Sequence, residues 1–304
     1  MNISEAIDAF LVDQACRGNS KNTVVNYRTM LQYFLAYAGD ILLEDITVPM
    51  CRRYYLTLCD RVTSVTAQTY VRQLRTFLRW LYENEYMKEN ICHKFRLPKA
   101  FKPTVDTLTD EEIAKLFAVY SSDTFLDVRN RCMLALLLDS GLRINELVTL
   151  RRARLHLKER YLIVDGKGNK QRAVPFGNMT RDLLSVYVGM LPPNSTYVFL
   201  KNDEETRIEY TTVKDLFRDL KVLSGVTRIY PHLLRHTFAT RYLENGGNIY
   251  ALQSILGHTS LEMVKRYLHL SKHKIIRTDF VNYSPFDRVT SVEAPLLKIK
   301  GSEN

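Results

Sequence analysis

A short proline-containing segment without apolar periodicity divides this chain into two parts of different character. Residues 97–106 read Leu-Pro-Lys-Ala-Phe-Lys-Pro-Thr-Val-Asp. Because proline lacks a backbone N–H and disfavours helix in the residue before it, we predict an extended linker here. With a boundary near residue 104, residues 1–103 form one domain that includes the linker, and residues 104–283 form a second. Residues 284–304, which mix proline, serine and valine, are predicted to be a loosely held tail.

The N-terminal part has the apolar spacing of α-helices. Apolar side chains recur three, four and seven residues apart, which places them on one face of a helix. The positions that define this pattern are Ala6, Phe10, Leu11, Val24, Tyr27, Met30, Leu31, Phe34, Val71, Leu74, Leu78 and Leu81. We therefore predict a helical N-terminal domain, whose clearest helix covers residues 64–87.

A row of arginines follows the polar side of that clearest helix. Arg72, Arg75 and Arg79 are spaced i, i+3 and i+7, so they share one face. Such a row can lie along the phosphate backbone of DNA. It can also be a solvated helix face, which is the better interpretation when this feature is taken alone.

The part after the linker mixes helices with a small hairpin. Thr109 begins a capping box, and the apolar run 133–138 predicts a buried helix that ends at Gly141. Two short strands, 161–164 and 171–175, flank a glycine-rich turn. Further helices are predicted near 178–191, 210–224, 232–245, 248–256 and 260–270. The predicted fold class is mainly α with a small β-hairpin.

Positive charge is in excess and is concentrated in one segment. The net charge is +10 with an isoelectric point near 9.3, and residues 151–200 hold nine basic and three acidic side chains. A dense basic segment favours a polyanionic partner, most often nucleic acid. From charge alone, a basic solvated surface is an equally good interpretation.

Several classes of protein are disfavoured by composition. Mean hydropathy is −0.20, and no apolar run approaches the roughly 20 residues of a membrane span. The first ten residues lack the basic start of a signal peptide. The five cysteines include no CxxC pair, which favours reduced thiols in a cytoplasmic protein over disulfide frameworks and zinc ribbons.

Two polar side chains lie where a purely structural role does not require them. Arg143 follows the helix-ending glycine and can bind a phosphate with paired donors or form an ion pair with Glu146. Lys167 lies between two glycines in the hairpin turn, where it can donate a proton in a groove or simply be solvated. Each residue alone favours the structural interpretation.

A histidine-rich helix is the third polar segment. His232 and Arg235 share one face at i, i+3. His232 and His236 also have the i, i+4 spacing of a zinc-binding helix, but Leu233 stands where the HExxH motif has glutamate. We therefore expect no metal site.

The last polar segment surrounds a predicted helix start. His258 comes just before a capping box formed by Thr259 and Glu262, and Tyr267 lies about two turns into that helix. Taken singly, Tyr267 is more typical of a packed tyrosine than of a nucleophile.

Four sequence motifs that follow one another in a fixed order are more specific than any single polar residue within them. They are SGLRINEL (140–147), GKGNKQRAVP (166–175), HLLRHTFAT (232–240) and LGHTS…RYLH (256–269). With the hairpin and the helical N-terminal part, they resemble tyrosine site-specific recombinases of the phage integrase and Xer family. The resemblance covers nearly the whole chain and implies an N-terminal SAM-like, core-binding domain followed by a catalytic domain.

The chemistry of phosphoryl transfer accounts for several of these residue types. Attack on a phosphodiester builds negative charge at phosphorus, and without a metal fixed cations must offset that charge. Arg143 and Arg235 would bind the non-bridging oxygens. Tyr267 would be the nucleophile that forms a phosphotyrosine, and His232 would be the general base.

The resemblance implies further roles and partners. It makes Lys167 the donor of a proton to the departing 5′ oxygen, His258 a hydrogen-bond donor to the scissile phosphate, and Glu146 an acid that orients the arginines. It implies double-stranded DNA sites, tetramers of one recombinase or of two related ones, and a Holliday junction intermediate. No cofactor is implied, and a cytoplasmic, nucleoid-associated bacterial enzyme is expected.

Two other functions stay open from the sequence. A type IB topoisomerase uses a similar cationic site and tyrosine to relax DNA. An architectural or regulatory DNA-binding protein would use the same fold without catalysis.

Overall fold

In a computed structural model, the chain forms two compact units, Met1–Thr104 and Val105–Asn304. The structure describes residues 1–95, 106–166, 171–202 and 205–258, together with residues 260, 261, 264 and 267. Each unit is mainly helical, and the second contains a small three-stranded sheet. The predicted fold class is confirmed. Most of the linker and the whole tail lie outside the described residues.

The first unit is a helical bundle with hydroxyl caps. Its α-helices are α1 (Ile3–Cys16), α2 (Lys21–Ala38), α3 (Val48–Cys59) and α4 (Ser64–Glu83), and short 3₁₀ helices cover Leu43–Asp45 and Ile91–His93. Ser20, Thr47 and Thr63 precede three of these helices, and each hydroxyl accepts a hydrogen bond from the backbone N–H three residues later. These caps satisfy donors that would otherwise lack a partner, and they explain where α2, α3 and α4 begin.

The core of the first unit is aromatic and centres on α1 and α4. The Phe10 ring meets the rings of Tyr27, Phe77 and Trp80 edge-on, with centroids 5.1, 5.5 and 5.4 Å away. The indole N–H of Trp80 donates to a carboxylate oxygen of Asp13 at 2.8 Å, so the one polar atom of that ring has a partner.

Helix α4 has the two faces that its sequence predicts. Val71, Leu74, Leu78 and Leu81 are buried, with at most 1% of each exposed. Arg72 and Arg79 are exposed and Arg75 is half-buried, so the basic row lies on the opposite, wetter side. The helix ends at Glu83, slightly before the predicted end at residue 87.

The second unit places helices around a three-stranded sheet. The elements are α5 (Asp110–Ala118), α6 (Phe125–Ser140), α7 (Ile144–Val148), a 3₁₀ helix (Arg152–Arg154), β1 (Leu155–His156), β2 (Tyr161–Asp165), β3 (Gln171–Pro175), α8 (Asn178–Met190), α9 (Tyr210–Leu223), α10 (Pro231–Glu244) and α11 (Ile249–Leu256). Helix α6 is buried along most of its length, which explains its apolar run. The four helices predicted between residues 178 and 256 are confirmed within two residues at each end.

The predicted hairpin is confirmed by the pairing of β2 with β3. The strands run antiparallel, with Leu162 opposite Val174 and Val164 opposite Arg172. Leu162, Val164 and Val174 are buried. Because side chains alternate between the faces of a strand, Arg172 shares the buried face with Val174. The hairpin turn at 167–170 and both residues of the predicted capping box at 259 and 262 lie outside the described residues.

A clamp between an arginine and a glutamate fixes the start of α5. Thr109 and Glu112 form the predicted capping box, with each backbone N–H bound to the other side chain at 2.9 and 3.2 Å. Arg228 holds Glu112 through two hydrogen bonds of 2.8 and 2.5 Å and also donates to backbone carbonyls of residues 106 and 107. This clamp ties α5 to the segment before α10.

None of the helices in the described part of the chain is long and apolar enough to cross a membrane.

The core of the first unit yields a direct stability test. Leu74→Ala should lower the free energy of unfolding by about 3 kcal/mol, because it leaves a cavity in a packed core. Arg79→Ala, on the exposed face of the same helix, should change it by less than about 0.5 kcal/mol. Urea unfolding followed by fluorescence of Trp80, the only tryptophan, measures both. Equal effects of the two substitutions would contradict the packing described for α4.

Candidate active site

A left-handed glycine after α6 sets the position of Arg143. Gly141 has φ of +61°, a conformation that lets the chain turn from α6 into α7. A Cβ at this position would lie 2.5 Å from Cδ1 of Phe238, so only glycine fits without movement. Arg143 is the residue immediately before α7, and its side chain is 38% exposed.

One buried carboxylate joins two arginines from different elements. Glu146 of α7 accepts hydrogen bonds from the backbone N–H and from Nη1 of Arg143, at 2.9 and 3.0 Å. Arg172 of β3 donates from both terminal nitrogens to the two oxygens of the same carboxylate, each at 2.9 Å. The side chains of Glu146 and Arg172 are only 6% and 12% exposed. The ion pair expected for Arg143 is therefore present, and a second arginine shares it.

The arginines decide the charge of that carboxylate. Burial favours the neutral acid, but the hydrogen bonds and charges of Arg172 and Arg143 outweigh burial and hold the pKa of Glu146 below its usual value. The carboxylate is thus ionised in the folded protein at neutral pH.

Arg235 is a buried cation held by backbone carbonyls. It lies in α10, is 5% exposed, and donates to the carbonyls of Gly141 and Leu256 at 2.5 and 2.7 Å. Burial and the nearby charge of Arg143 lower the pKa of its guanidinium to about 10, while Glu146 acts in the opposite direction. Among the described residues, no carboxylate forms an ion pair with Arg235.

Two histidines flank these arginines. Nε2 of His258 lies 3.0 Å from Nη2 of Arg235, and His258 follows directly after the turn that ends α11. His232 lies on the more exposed side of α10. Partial desolvation of its ring and the charges of Arg235 and Arg143 lower the pKa of His232 below its usual value. The ring of His232 is therefore neutral at neutral pH and able to accept a proton.

Tyr267 lies beside the same group of residues. It is helical and half-buried, and it packs against the apolar cluster that includes Leu252 and Leu256. Its ring centroid is 5.4 Å from that of His236. Its interaction with Arg235 opposes part of the lowering of the pKa of that arginine. The hydroxyl is thus within electrostatic reach of the buried cation.

The structure brings together six of the seven residues that the sequence singled out in this unit. They are Arg143, Glu146, His232, Arg235, His258 and Tyr267. Lys167 lies outside the described residues. Arg72, Arg75 and Arg79 belong to the first unit.

Arg172 is the site residue that the sequence analysis missed. It lies within one of the four sequence motifs, but its position in the motif did not by itself indicate a role. The available signal was its register, because Arg172 is two residues from buried Val174 and so points to the core side of the strand. An arginine on the buried face of a strand needs a buried anion, and Glu146 is that anion.

Comparison with protein families identifies both units. Residues 106–274 match the model of the phage integrase family, and residues 5–97 match that of the phage integrase SAM-like domain. The chain belongs to the phage integrase family. Its N-terminal helical unit is the SAM-like domain, and its second unit is the phage integrase domain.

Relatives of this phage integrase family member support the assignment over most of its length. Tyrosine recombinase XerC of Bacillus licheniformis is 32% identical over 279 residues, which is 88% of this chain and 91% of the relative. Tyrosine recombinase XerD of Caulobacter vibrioides is 31% identical, covering 87% and 91%. A lambda integrase dimer bound to a COC′ core site has the same fold, with a TM-score of 0.73, 20% identity and coverage of 99% and 81%.

The shared carboxylate predicts a pH-dependent stability effect. Glu146→Gln should lower the free energy of unfolding by about 3 kcal/mol at neutral pH, because two arginines lose their counter-charge. The lowered pKa of Glu146 means that this stabilisation is present above the usual carboxyl pKa of 4.5 and is lost as pH falls through the folded value. The difference from the unsubstituted protein should therefore shrink below about pH 4.

Chemical unfolding followed by circular dichroism at several pH values measures this difference. Glu159→Gln, at an exposed glutamate of the same unit, is the control and should have little effect. A cost of Glu146→Gln that stays constant from neutral to acid pH would contradict the ionised, arginine-bound state.

Proposed function

We propose that this chain is a site-specific DNA recombinase that cuts and rejoins duplex DNA through a 3′-phosphotyrosine intermediate and a Holliday junction. The observation that carries the proposal is the charge of the site. Arg143 and Arg172 both bind the carboxylate of Glu146, while the nearby cation of Arg235 forms no ion pair among the described residues, and Tyr267 lies beside this group. Such an excess of fixed positive charge suits a phosphate anion. The similarity of the chain to XerC and XerD tyrosine recombinases also supports this function.

Arg143 and Arg235 are proposed to bind the scissile phosphate. The side chain of Arg143 is partly exposed and accessible to a ligand, and the buried cation of Arg235 has no carboxylate among its described hydrogen-bond partners. Negative charge grows on the non-bridging oxygens during attack, so cations fixed in advance favour the transition state. Loss of either guanidinium is expected to slow cleavage by about 10²–10³-fold.

Tyr267 is the proposed nucleophile. Its hydroxyl oxygen attacks phosphorus, the bond from phosphorus to the 5′ oxygen breaks, and the new phosphotyrosine ester retains the energy needed for rejoining. His232 takes the hydroxyl proton, because its lowered pKa keeps the ring neutral at neutral pH. Lys167 is proposed to protonate the departing 5′ oxygen, and His258 to hydrogen-bond the phosphate. Neither a metal nor another cofactor takes part in the proposed reaction.

DNA binding and assembly complete the proposal. The arginines of α4 (Arg72, Arg75 and Arg79) are proposed to contact DNA from their exposed face. The active form is proposed to be a tetramer on two paired DNA sites, made of this chain alone or of this chain and a related recombinase.

Covalent trapping tests the nucleophile and the DNA site together. The purified protein is incubated with fragmented DNA of its host and denatured in detergent, and the attached DNA is sequenced. We expect fragments that share one short motif, and their loss with Tyr267→Phe. Tyr250→Phe, an exposed tyrosine on α11, is the matched control and should retain adducts.

Other outcomes of the trapping experiment separate the alternatives. Adducts without a shared motif would favour a type IB topoisomerase activity. DNA binding without any adduct, also in the presence of host extract, would favour a regulatory or architectural role. Adducts that persist with Tyr267→Phe would contradict the assignment of the nucleophile.

His232 predicts an acid limit to the reaction. Protonation of its ring removes the base, so the rate of adduct formation should fall only below the usual histidine pKa of 6.5. His232→Gln should lower the rate by about 10²-fold or more and remove this inflection. Single-turnover rates of adduct formation from about pH 5 to about pH 8 show where the rate falls. An unchanged pH profile in His232→Gln would assign the base to another group.

A further inference from the structure

Arg172 of β3 contacts two other elements of the second unit at once. Its two terminal nitrogens bind Glu146 of α7, each at 2.9 Å. Its Nε donates to the carbonyl of Ile255, in the last turn of α11, at 2.7 Å. The guanidinium therefore links β3 to both elements that frame the site.

The contact at α11 extends to the residues that hold Arg235. The carbonyl of Leu256, which follows Ile255 directly, accepts a hydrogen bond from Arg235. Gly257 then turns the chain with φ of +62°, and a Cβ there would lie 3.0 Å from Nη1 of Arg172. Arg172 thus packs against the turn that leads into His258.

We propose that Arg172 is a positioning residue for DNA cleavage, acting through Glu146 on Arg143 and through the end of α11 on Arg235 and His258. This inference rests on the proposed function. Arg172 itself is 12% exposed and each of its three guanidinium nitrogens donates to a protein acceptor, so it is placed to orient the other groups rather than to bind the phosphate.

The geometry requires arginine rather than any cation. Three nitrogens of one planar group reach three acceptors on two elements, which the single nitrogen of lysine cannot do. With lysine at this position, Glu146 has one hydrogen bond fewer and is no longer fixed beside Arg143, while the carbonyl of Ile255 loses its donor. A displacement of about 1 Å at a catalytic group can slow a reaction by about 10²-fold.

The clamp between Arg228 and Glu112 supplies a matched control. It has the same chemistry, because a glutamate of a capping box is bound by two nitrogens of an arginine that also donates to backbone carbonyls. Neither residue forms a hydrogen bond or ion pair with the site residues in the described part of the chain. Arg228→Lys therefore reports what the loss of a similar but more exposed clamp does by itself.

The test compares Arg172→Lys with Arg228→Lys in three measurements. These are urea unfolding, DNA affinity, and the single-turnover rate of covalent adduct formation at saturating protein. We expect Arg172→Lys to slow adduct formation by about 10²-fold with unchanged DNA affinity. Arg228→Lys should reduce stability but leave the rate unchanged. Equal rates for the two variants would overturn the proposal.

A double-mutant cycle with Arg143→Ala separates positioning from a general structural role. If Arg172 acts largely through Arg143, Arg172→Lys should slow the Arg143→Ala protein far less than the unsubstituted one. A full 10²-fold loss, about the same on both backgrounds, would overturn that route. Arg172→Gln, which keeps a donor without charge, serves as the second variant if Arg172→Lys does not fold.

A crystal structure of the folded variant decides the inference without relying on activity. We expect the hydrogen bond from Arg143 Nη1 to Glu146, and that from Arg235 to the carbonyl of Leu256, to lengthen or break. Unchanged distances in both would overturn the proposal. A complete lack of adducts with the unsubstituted protein would instead count against the proposed function, while the distances would still test the role of Arg172.

Discussion

The charge of one buried carboxylate organises the whole site. Glu146 is only 6% exposed, and an ion in such a place is unfavourable unless its partners are close and well oriented. Those partners come from the start of α7 and from the third strand, so satisfying the carboxylate fixes a helix and a sheet relative to each other. Within this interaction, 38% of the Arg143 side chain stays exposed and accessible to a ligand.

Arg235 is held by different partners from those of Arg143 and Arg172, and this difference explains why the site keeps its positive charge. Its donors bind the carbonyls of Gly141 and Leu256 rather than a carboxylate, which orients the guanidinium without neutralising it. The lowered pKa of this arginine reflects the cost of that arrangement. A bound anion would offset the cost of burying this positive charge, which is the physical basis for the proposed phosphate site.

Much of this arrangement follows from local sequence patterns. The apolar stripe of α4, the capping box at Thr109, the hairpin and the glycine after α6 each follow from side-chain spacing or backbone conformation, and all of them were predictable. For Arg143, the sequence left ion pairing and phosphate binding as alternatives. The structure contains the ion pair, and because 38% of the Arg143 side chain stays exposed, the pair does not exclude a bound phosphate.

Other features could not be read from spacing because they depend on long-range contacts. Arg172 and Glu146 are 26 residues apart, and Arg172 and Ile255 are 83 residues apart. Hydrogen bonds to backbone carbonyls, such as those of Gly141 and Leu256, cannot be predicted from side-chain patterns. The strand register of Arg172 signalled burial, but the identity of its partner required the packing of three elements.

Anomalous diffraction from crystals soaked in sodium tungstate would test the central claim most directly. Tungstate is a tetrahedral oxyanion like phosphate, and its metal atom can be located without ambiguity. We expect one tungstate bound by both Arg143 and Arg235 and absent in Arg143→Ala crystals. Crystals in which tungstate binds elsewhere, or leaves these two guanidiniums without an anion, would contradict the claim that the arginines form an anion site.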